Sequence, residues 1–190
     1  MSVNIRDLSF GSSSAVYGVT LYDSFVTSDN GGASWIRRYP GSGGDLFGVD
    51  FKSVYNGWIS GQAGRIMRTT DAGDNWTMQS SGTTVDLNHI RFVDNNVGWA
   101  IGNGGVIRWT VNSGNTWTPQ ASSVSDNLLW LDMVDAYDGW AVGANGAADS
   151  SAETARTSFI RNANSFMKWR SRSKCGRVAR IEKSLSAKSG

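Results

Sequence analysis

Trp35, Trp76 and Trp117 stand 41 residues apart, and Trp58, Trp99 and Trp140 repeat the same interval. Two independent ladders with one period mark an internal repeat, and a period near 40 confines the chain to a short list of repeat architectures. The same interval links Ile5, Leu46, Leu87 and Leu128; Leu8, Val49, Ile90 and Leu131; and Phe10, Phe51, Phe92 and Met133. Gly61, Gly102 and Gly143 follow the second tryptophan ladder, with Tyr17 and Thr20 standing in the first copy. The repeats run over about 5–45, 46–86, 87–127 and 128–146, without insertion or deletion.

Each copy reads as four short strands. In the third copy, Leu87, Ile90 and Phe92 give the first its apolar pattern, and Gly98–Gly102 (GWAIG) forms the second. Val106 to Trp109 forms the third, and the fourth begins at Trp117. Gly, Asn, Asp and Ser fill the intervals, as tight hairpins require. Period-2 patterning without a sustained 3.6 period predicts an all-β chain up to about residue 146. Four strands per 41 residues describe one blade of a β-propeller, with a β-solenoid as the lesser alternative.

The turns before the first tryptophan ladder share the form S/T-x-D/N-x-G-x-S/T/N-W. Their repeated residues are Ser28, Asn30, Gly32 and Trp35; Thr69, Asp71, Gly73 and Trp76; and Thr110, Asn112, Gly114 and Trp117. This is the Asp-box, or BNR, pattern. Its chemistry is conformational: the Asx oxygen accepts backbone N–H bonds, glycine takes a conformation other residues avoid, and the indole anchors the hairpin in the blade. A cation held by Asn30, Asp71 and Asn112 is the competing reading. Two of the three are neutral, whereas calcium sites gather several oxygens, so no metal is expected.

Gly57–Gly61 (GWISG) through Trp76, and Gly98–Gly102 through Trp117, resemble the photosystem II stability and assembly factor family, a resemblance covering residues 1 to about 146. It implies a β-propeller, normally of about seven blades, that binds newly made reaction-centre proteins without catalysis or cofactor. It also implies a thylakoid-lumenal, periplasmic or extracellular location, although the N-terminus lacks the basic and apolar regions of a signal peptide. Related bacterial proteins carry the repeat without photosynthesis. The chain departs from the family in length, having room for three blades and part of a fourth. An incomplete arc exposes blade faces and strand edges, so the chain is expected to be a fragment or to complete its ring with other copies.

Beyond Gly146 the repeat degrades. Ala147, Ala148 and Asp149 replace the apolar third strand, and Ser151 to Ser158 keeps Ser and Thr where the box should be but loses Asp/Asn, Gly and Trp. The charge changes with the pattern: residues 1–153 hold 8 Lys/Arg against 15 Asp/Glu, and residues 154–190 hold 10 against 1. Residues 147–190 therefore read as a separate basic tail, disordered or frame-shifted. Ala155, Phe159, Ala163 and Met167 recur every four residues, which offers a basic amphipathic helix as the other reading. Cys175 is the only cysteine, which excludes an internal disulfide and a cysteine metal cluster.

Asp-boxes also occur in sialidases and other glycoside hydrolases, so a fragment of such an enzyme is the alternative function. A sialidase-like site needs a tyrosine activated by glutamate, and residues 1–152 contain no glutamate. Asp71 with Asp74, or Asp132 with Asp135, are the available carboxylate pairs, and nothing but turn and edge chemistry marks them. His89, the sole histidine, reads as a surface or strand residue without a nucleophile, so no catalytic residue is expected. Arg65, Arg68 and Arg108 lie on or beside third strands, and Arg91 on a first strand. The family resemblance suggests Arg65, Arg68 and Arg108 as the patch that binds a protein client, such as a nascent membrane-protein subunit. The competing reading is that solvated arginines keep strand edges from sticking. No nucleic acid is expected among the partners, and self-association through open blade edges is a further expectation.

Overall fold

The computed structural model describes residues 4–122, 124–144, 158–160 and 166–170, the last two stretches as backbone only. These residues form four antiparallel four-stranded sheets. The first contains β1 (Ile5–Phe10), β2 (Val16–Thr20), β3 (Ser24–Ser28) and β4 (Ile36–Arg38). The second contains β5 (Leu46–Phe51), β6 (Gly57–Gly61), β7 (Ile66–Thr69) and β8 (Thr77–Gln79). The third contains β9 (Leu87–Phe92), β10 (Gly98–Gly102), β11 (Ile107–Thr110) and β12 (Thr118–Gln120). All three are up-and-down meanders in chain order. The helical segments among residues 40–120 are single 3-10 turns at Gln62–Gly64 and Asn103–Gly105, so the all-β expectation holds.

The first strand of each sheet carries an irregularity that simple alternation hides. Leu46, Val49 and Phe51 are all buried, yet Leu46 and Val49 are an odd number of residues apart and would fall on opposite faces of a regular strand. A shift in register between Leu46 and Gly48 resolves this, and equivalent shifts occur at Ile5/Asp7, at the Leu87 end of β9 and at Leu128/Trp130. One bulge per blade returns the apolar ladder to a single face.

That face seals each sheet against its neighbour. Tyr17, Val19 and Phe25 of the first sheet pack with Leu46, Val49 and Phe51 of the second. Trp58 and Ile66 of the second pack with Leu87, Ile90 and Phe92 of the third. Trp99, Ile101 and Ile107 of the third pack with Leu128 and Leu131 of the fourth. The aromatic part repeats in detail: Tyr17 stacks on Phe51 at 3.6 Å between ring centroids, and Trp58 stacks on Phe92 at 3.7 Å. First strands of successive sheets also touch along one side of the stack.

The fourth sheet contains β13 (Leu128–Met133), β14 (Asp138–Gly143), β15 (Ser158–Ile160) and β16 (Phe166–Arg170), in the order β13-β14-β16-β15. The tail thus supplies the sheet's outer half, and the expected partial fourth blade has four strands. An amphipathic helix through Phe159 and Met167 is corrected here, since both lie in strands. The physical reason is the edge of β14, whose backbone groups from Asp138 to Val142 pair with β16. The chain reaches the outermost position first and returns to the third. β16 still enters in the register of the other blades: Phe166 lies opposite Val142 as Phe25 lies opposite Val19, Ile66 opposite Ser60 and Ile107 opposite Ile101. The expectations for Ala147 to Thr157, Ala163 and residues 171–190, including the decayed box, disorder and a frame change, lie outside the described residues.

Candidate functional site

The three Asp-boxes fold alike. Ser28, Thr69 and Thr110 each donate to the Asx oxygen two residues on, at 2.9, 2.8 and 2.9 Å. Each also accepts the N–H of the box glycine, Gly32, Gly73 or Gly114, at 2.8–2.9 Å. The Asx Oδ1 then accepts the N–H of Ser34, Asn75 or Thr116. Those bonds from Asn75 hold the Asp71 carboxyl below its ordinary range. Asn30, Asp71 and Asn112 thus commit their oxygens to turn geometry, and among the described residues no cluster of three or more His, Cys, Asp or Glu is poised around a cation.

The box tryptophans do different work from that expected of anchors within one blade. Trp76 meets Phe25 of the preceding blade edge-on at 5.2 Å, and also Phe51 at 6.2 Å. Trp117 is buried in the cluster shared by the second and third sheets, and its Nε1–H donates to Gln79 of the second sheet at 3.4 Å. Trp58 of the second sheet donates in return to the carbonyl of Ser113, inside the third blade's box, at 3.0 Å. The boxes are therefore fasteners between blades. Trp35, which no other blade precedes among the described residues, is exposed, which corrects its expected role as an anchor.

A polar ladder on the first strands was not singled out from the sequence. Ser9, Asp50, Arg91 and Asp132 are spaced by the repeat and differ in chemistry, which hid their common place. Ser9 Oγ accepts the N–H of Phe51 at 2.8 Å, and Asp50 accepts the N–H of Phe92 at 2.6 Å, each on the next blade. Asp7 does the same for Val49 at 2.9 Å. Asp50 also meets Lys52 at 3.1 Å and Arg91 at 3.5 Å, and Arg91 reaches on to Asp132 at 3.2 Å. Burial pushes both Asp7 and Asp50 above the ordinary carboxylate range, against the N–H bonds to Asp7 and the charge of Lys52 beside Asp50. His89 is buried rather than superficial, and its ring lies 4.1 Å from that of Trp130. Its Nε2 is 3.6 Å from Asp7, yet burial, aided by Arg91 and opposed by Asp132, holds its pKa at about 4.

The carboxylates considered for hydrolysis are all engaged in structure. Asp71 closes a box, Asp74 pairs with Arg38, Asp132 pairs with Arg91, and Asp135 accepts the N–H of Tyr137.

Two of the three candidate arginines meet at one groove. Arg65 lies just before β7 and, with Met78, Gln79 and residues 80–84, lines an open groove of about 620 Å³. Arg108, on β11 of the next blade, donates to the carbonyl of Gly82 on the same groove at 2.8 Å. Arg68 sits apart, on β7, with its guanidinium 5.7 Å from the centre of the Trp58 ring.

No family model matches the chain. No curated protein matches it in sequence. Solved structures do resemble it. A structure of YCF48 bound to a D1 peptide is 24% identical, with a TM-score of 0.64 over 76% of this chain and 48% of that one. YCF48 from Cyanidioschyzon merolae is 16% identical, with a TM-score of 0.62 over 90% of this chain and 58% of that one. The GH74 enzyme of Niastella koreensis is 13% identical, with a TM-score of 0.64 over 86% of this chain and 30% of that one. The fold is that of β-propeller blades, and the chain spans about half the length of the YCF48 structures.

Proposed function

We propose that the chain is a non-catalytic, propeller-type scaffold that holds a protein client, with Arg65, Arg68 and Arg108 as the charged contacts. The observation that carries this reading is the open groove on the second blade, lined by Arg65 and by Gly82, whose carbonyl accepts from Arg108 of the next blade. Guanidinium forks pair with carboxylates in two-point geometry, and a groove lined by serine, threonine and backbone suits an extended segment. The likeness to YCF48, solved with a D1 peptide, supports a peptide-like client, as does the sequence resemblance to photosystem II assembly factors. A newly made membrane-protein subunit is the client class that follows. Arg68, lying over Trp58, would contribute charge from outside the groove.

The likeness to a GH74 enzyme keeps a glycoside hydrolase as the second reading, but that likeness extends to the fold alone. The engagement of Asp71, Asp74, Asp132 and Asp135 in turns and ion pairs favours the scaffold.

The test is fluorescence anisotropy with labelled, carboxylate-bearing peptides from membrane-protein subunits, run beside hydrolysis assays on glucan and sialoside substrates. Arg65→Ala with Arg108→Ala should weaken binding at least tenfold, since each charge-assisted bond is worth ~1.5–3 kcal/mol. The salt dependence should flatten as well. Unchanged affinity would overturn the arginine site, and turnover that disappears on changing Asp71 or Asp132 would replace the scaffold with the enzyme.

A further inference from the structure

Three devices recur at the blade interfaces, all three of them between the first and second blades, and the two ends of the stack carry the complementary halves of one more. An aromatic on the second strand stacks against the phenylalanine ladder of the next blade, as Tyr17 does on Phe51 and Trp58 on Phe92. An apolar residue two positions on, Val19 or Ile101, packs beside it. A polar side chain on the first strand, Ser9 or Asp50, accepts the N–H of that next phenylalanine. The first blade has the receiving half, uncovered among the described residues: Ile5, Leu8 and Phe10 are 39%, 43% and 65% exposed, whereas Leu87, Ile90 and Phe92 are at most 1% exposed. The fourth blade has the donating half. Trp140 holds the position of Tyr17 and Trp58, Val142 that of Val19 and Ile101, and Asp132 that of Ser9 and Asp50.

We infer that the open face of the first blade is covered by the fourth blade of a second copy of this chain. Trp140 and Val142 then pack on Phe10 and Leu8, and the Asp132 carboxylate accepts the N–H of Phe10. The interface joins unlike surfaces, and such head-to-tail contacts make a finite assembly only when they close a ring. Two four-bladed arcs make eight blades, inside the range of roughly 4 to 8 that propellers adopt. The carboxylate supports this choice of occupant over a purely apolar ligand, because Phe51 and Phe92, which hold the place of Phe10 in the next two blades, each donate their N–H to a side-chain oxygen of the blade before. Register supports it too, since β16 places Phe166 opposite Val142, as the interior blades place Phe25, Ile66 and Ile107.

The experiment is light scattering and sedimentation on the full 190-residue chain and its variants. The wild type should have twice the chain mass of 20.5 kDa. Phe10→Glu and Val142→Glu should each run at the single-chain mass, because each spoils both contacts of the ring. An equimolar mixture should regain a heterodimer, since one unaltered Phe10 face then meets one unaltered Val142 face. Cooperative melting of each variant checks folding, and the milder Phe10→Ser replaces Phe10→Glu should the latter fail it. A monomeric wild type would overturn the inference and leave the face to further blades on a longer polypeptide. It would equally be overturned by a dimer that survives Phe10→Glu, by one indifferent to Val142→Glu, or by open-ended growth.

Discussion

The first and third blades carry the same ladder, Ile5-Leu8-Phe10 in one and Leu87-Ile90-Phe92 in the other, and the protein treats them oppositely. The third blade's copy is sealed by Trp58, Ile66 and the box indole Trp117, and the first blade's copy faces outward. The local sequence pattern is alike, so the difference comes entirely from whether a blade precedes. Stability in this fold therefore resides between blades more than within them, as in other repeat proteins whose units contact only their neighbours.

The largest expected effect tests that statement directly. Phe92→Ala should lower the unfolding free energy by ~3–5 kcal/mol, the usual cost of emptying a buried aromatic site. At dilution that keeps the chain single, Phe10→Ala should cost no more than ~0.5 kcal/mol, as for other surface changes. Urea midpoints measure both, and equal midpoints would break the comparison.

His89 sharpens it through pH. The fourth blade's Trp130 covers this ring, and burial, with Arg91 nearby, holds its pKa at about 4, against 6.5 when exposed. The folded state therefore binds fewer protons than the unfolded state between those values, and stability falls as pH is lowered from 6.5 towards 4. At ~1.4 kcal/mol per pKa unit this amounts to ~3 kcal/mol. Asp7 and Asp50, both raised by burial, act in the opposite sense: their ionised forms cost stability, and protonation on acidification relieves it. Comparison with His89→Gln isolates the histidine. The advantage of the wild type over the variant should shrink between pH 6.5 and 4, and a constant difference would contradict the assignment.

The box indoles come next. Trp76→Ala removes the edge contact with Phe25 of the preceding blade and should cost ~3 kcal/mol, whereas Trp35→Ala, with no blade before it, should cost ~1. Thermal melts of the two variants would show a gap of several degrees, and a gap of zero would return the tryptophans to their own blades.

Much of this was legible because the repeat writes itself in residue types. The strands, the boxes and the limit of the regular repeat follow from Trp, Gly and Asx at fixed intervals. The bulge was not, since Leu46 to Val49 passes for alternation until the register of β5 against β6 is seen. Nor was the reach of the box indole across to Phe25, because a sequence pattern fixes a turn but leaves its neighbour open. The ladder of Ser9, Asp50, Arg91 and Asp132 escaped for another reason: place was kept while chemistry varied. The strand pairing of the tail with β14 had no repeat signal to announce it. For the arginines, sequence gave candidates, and only the fold separates Arg65 and Arg108 at the groove from Arg68 above Trp58.

The smallest expected effect compares two box glycines, Gly32 and Gly73, which share a conformation but differ in neighbours. Their φ values are +93° and +86°, a region where a Cβ costs ~1–2 kcal/mol, so both Gly→Ala changes carry that common penalty. A Cβ at Gly73 would stand 2.5 Å from the Phe25 ring of the preceding blade, while one at Gly32 would first meet Trp35 of its own box at 3.5 Å. Only Gly73→Ala therefore forces two blades apart, adding ~1–3 kcal/mol of overpacking. Gly73→Ala should thus be the more damaging of the two by about that margin in urea titration. Replacing Phe25 with leucine in the same chain should recover part of the loss by making room. Were the two alanine variants equally stable, the glycine would serve the turn alone, and the box would lose its claim to set how closely one blade approaches the next.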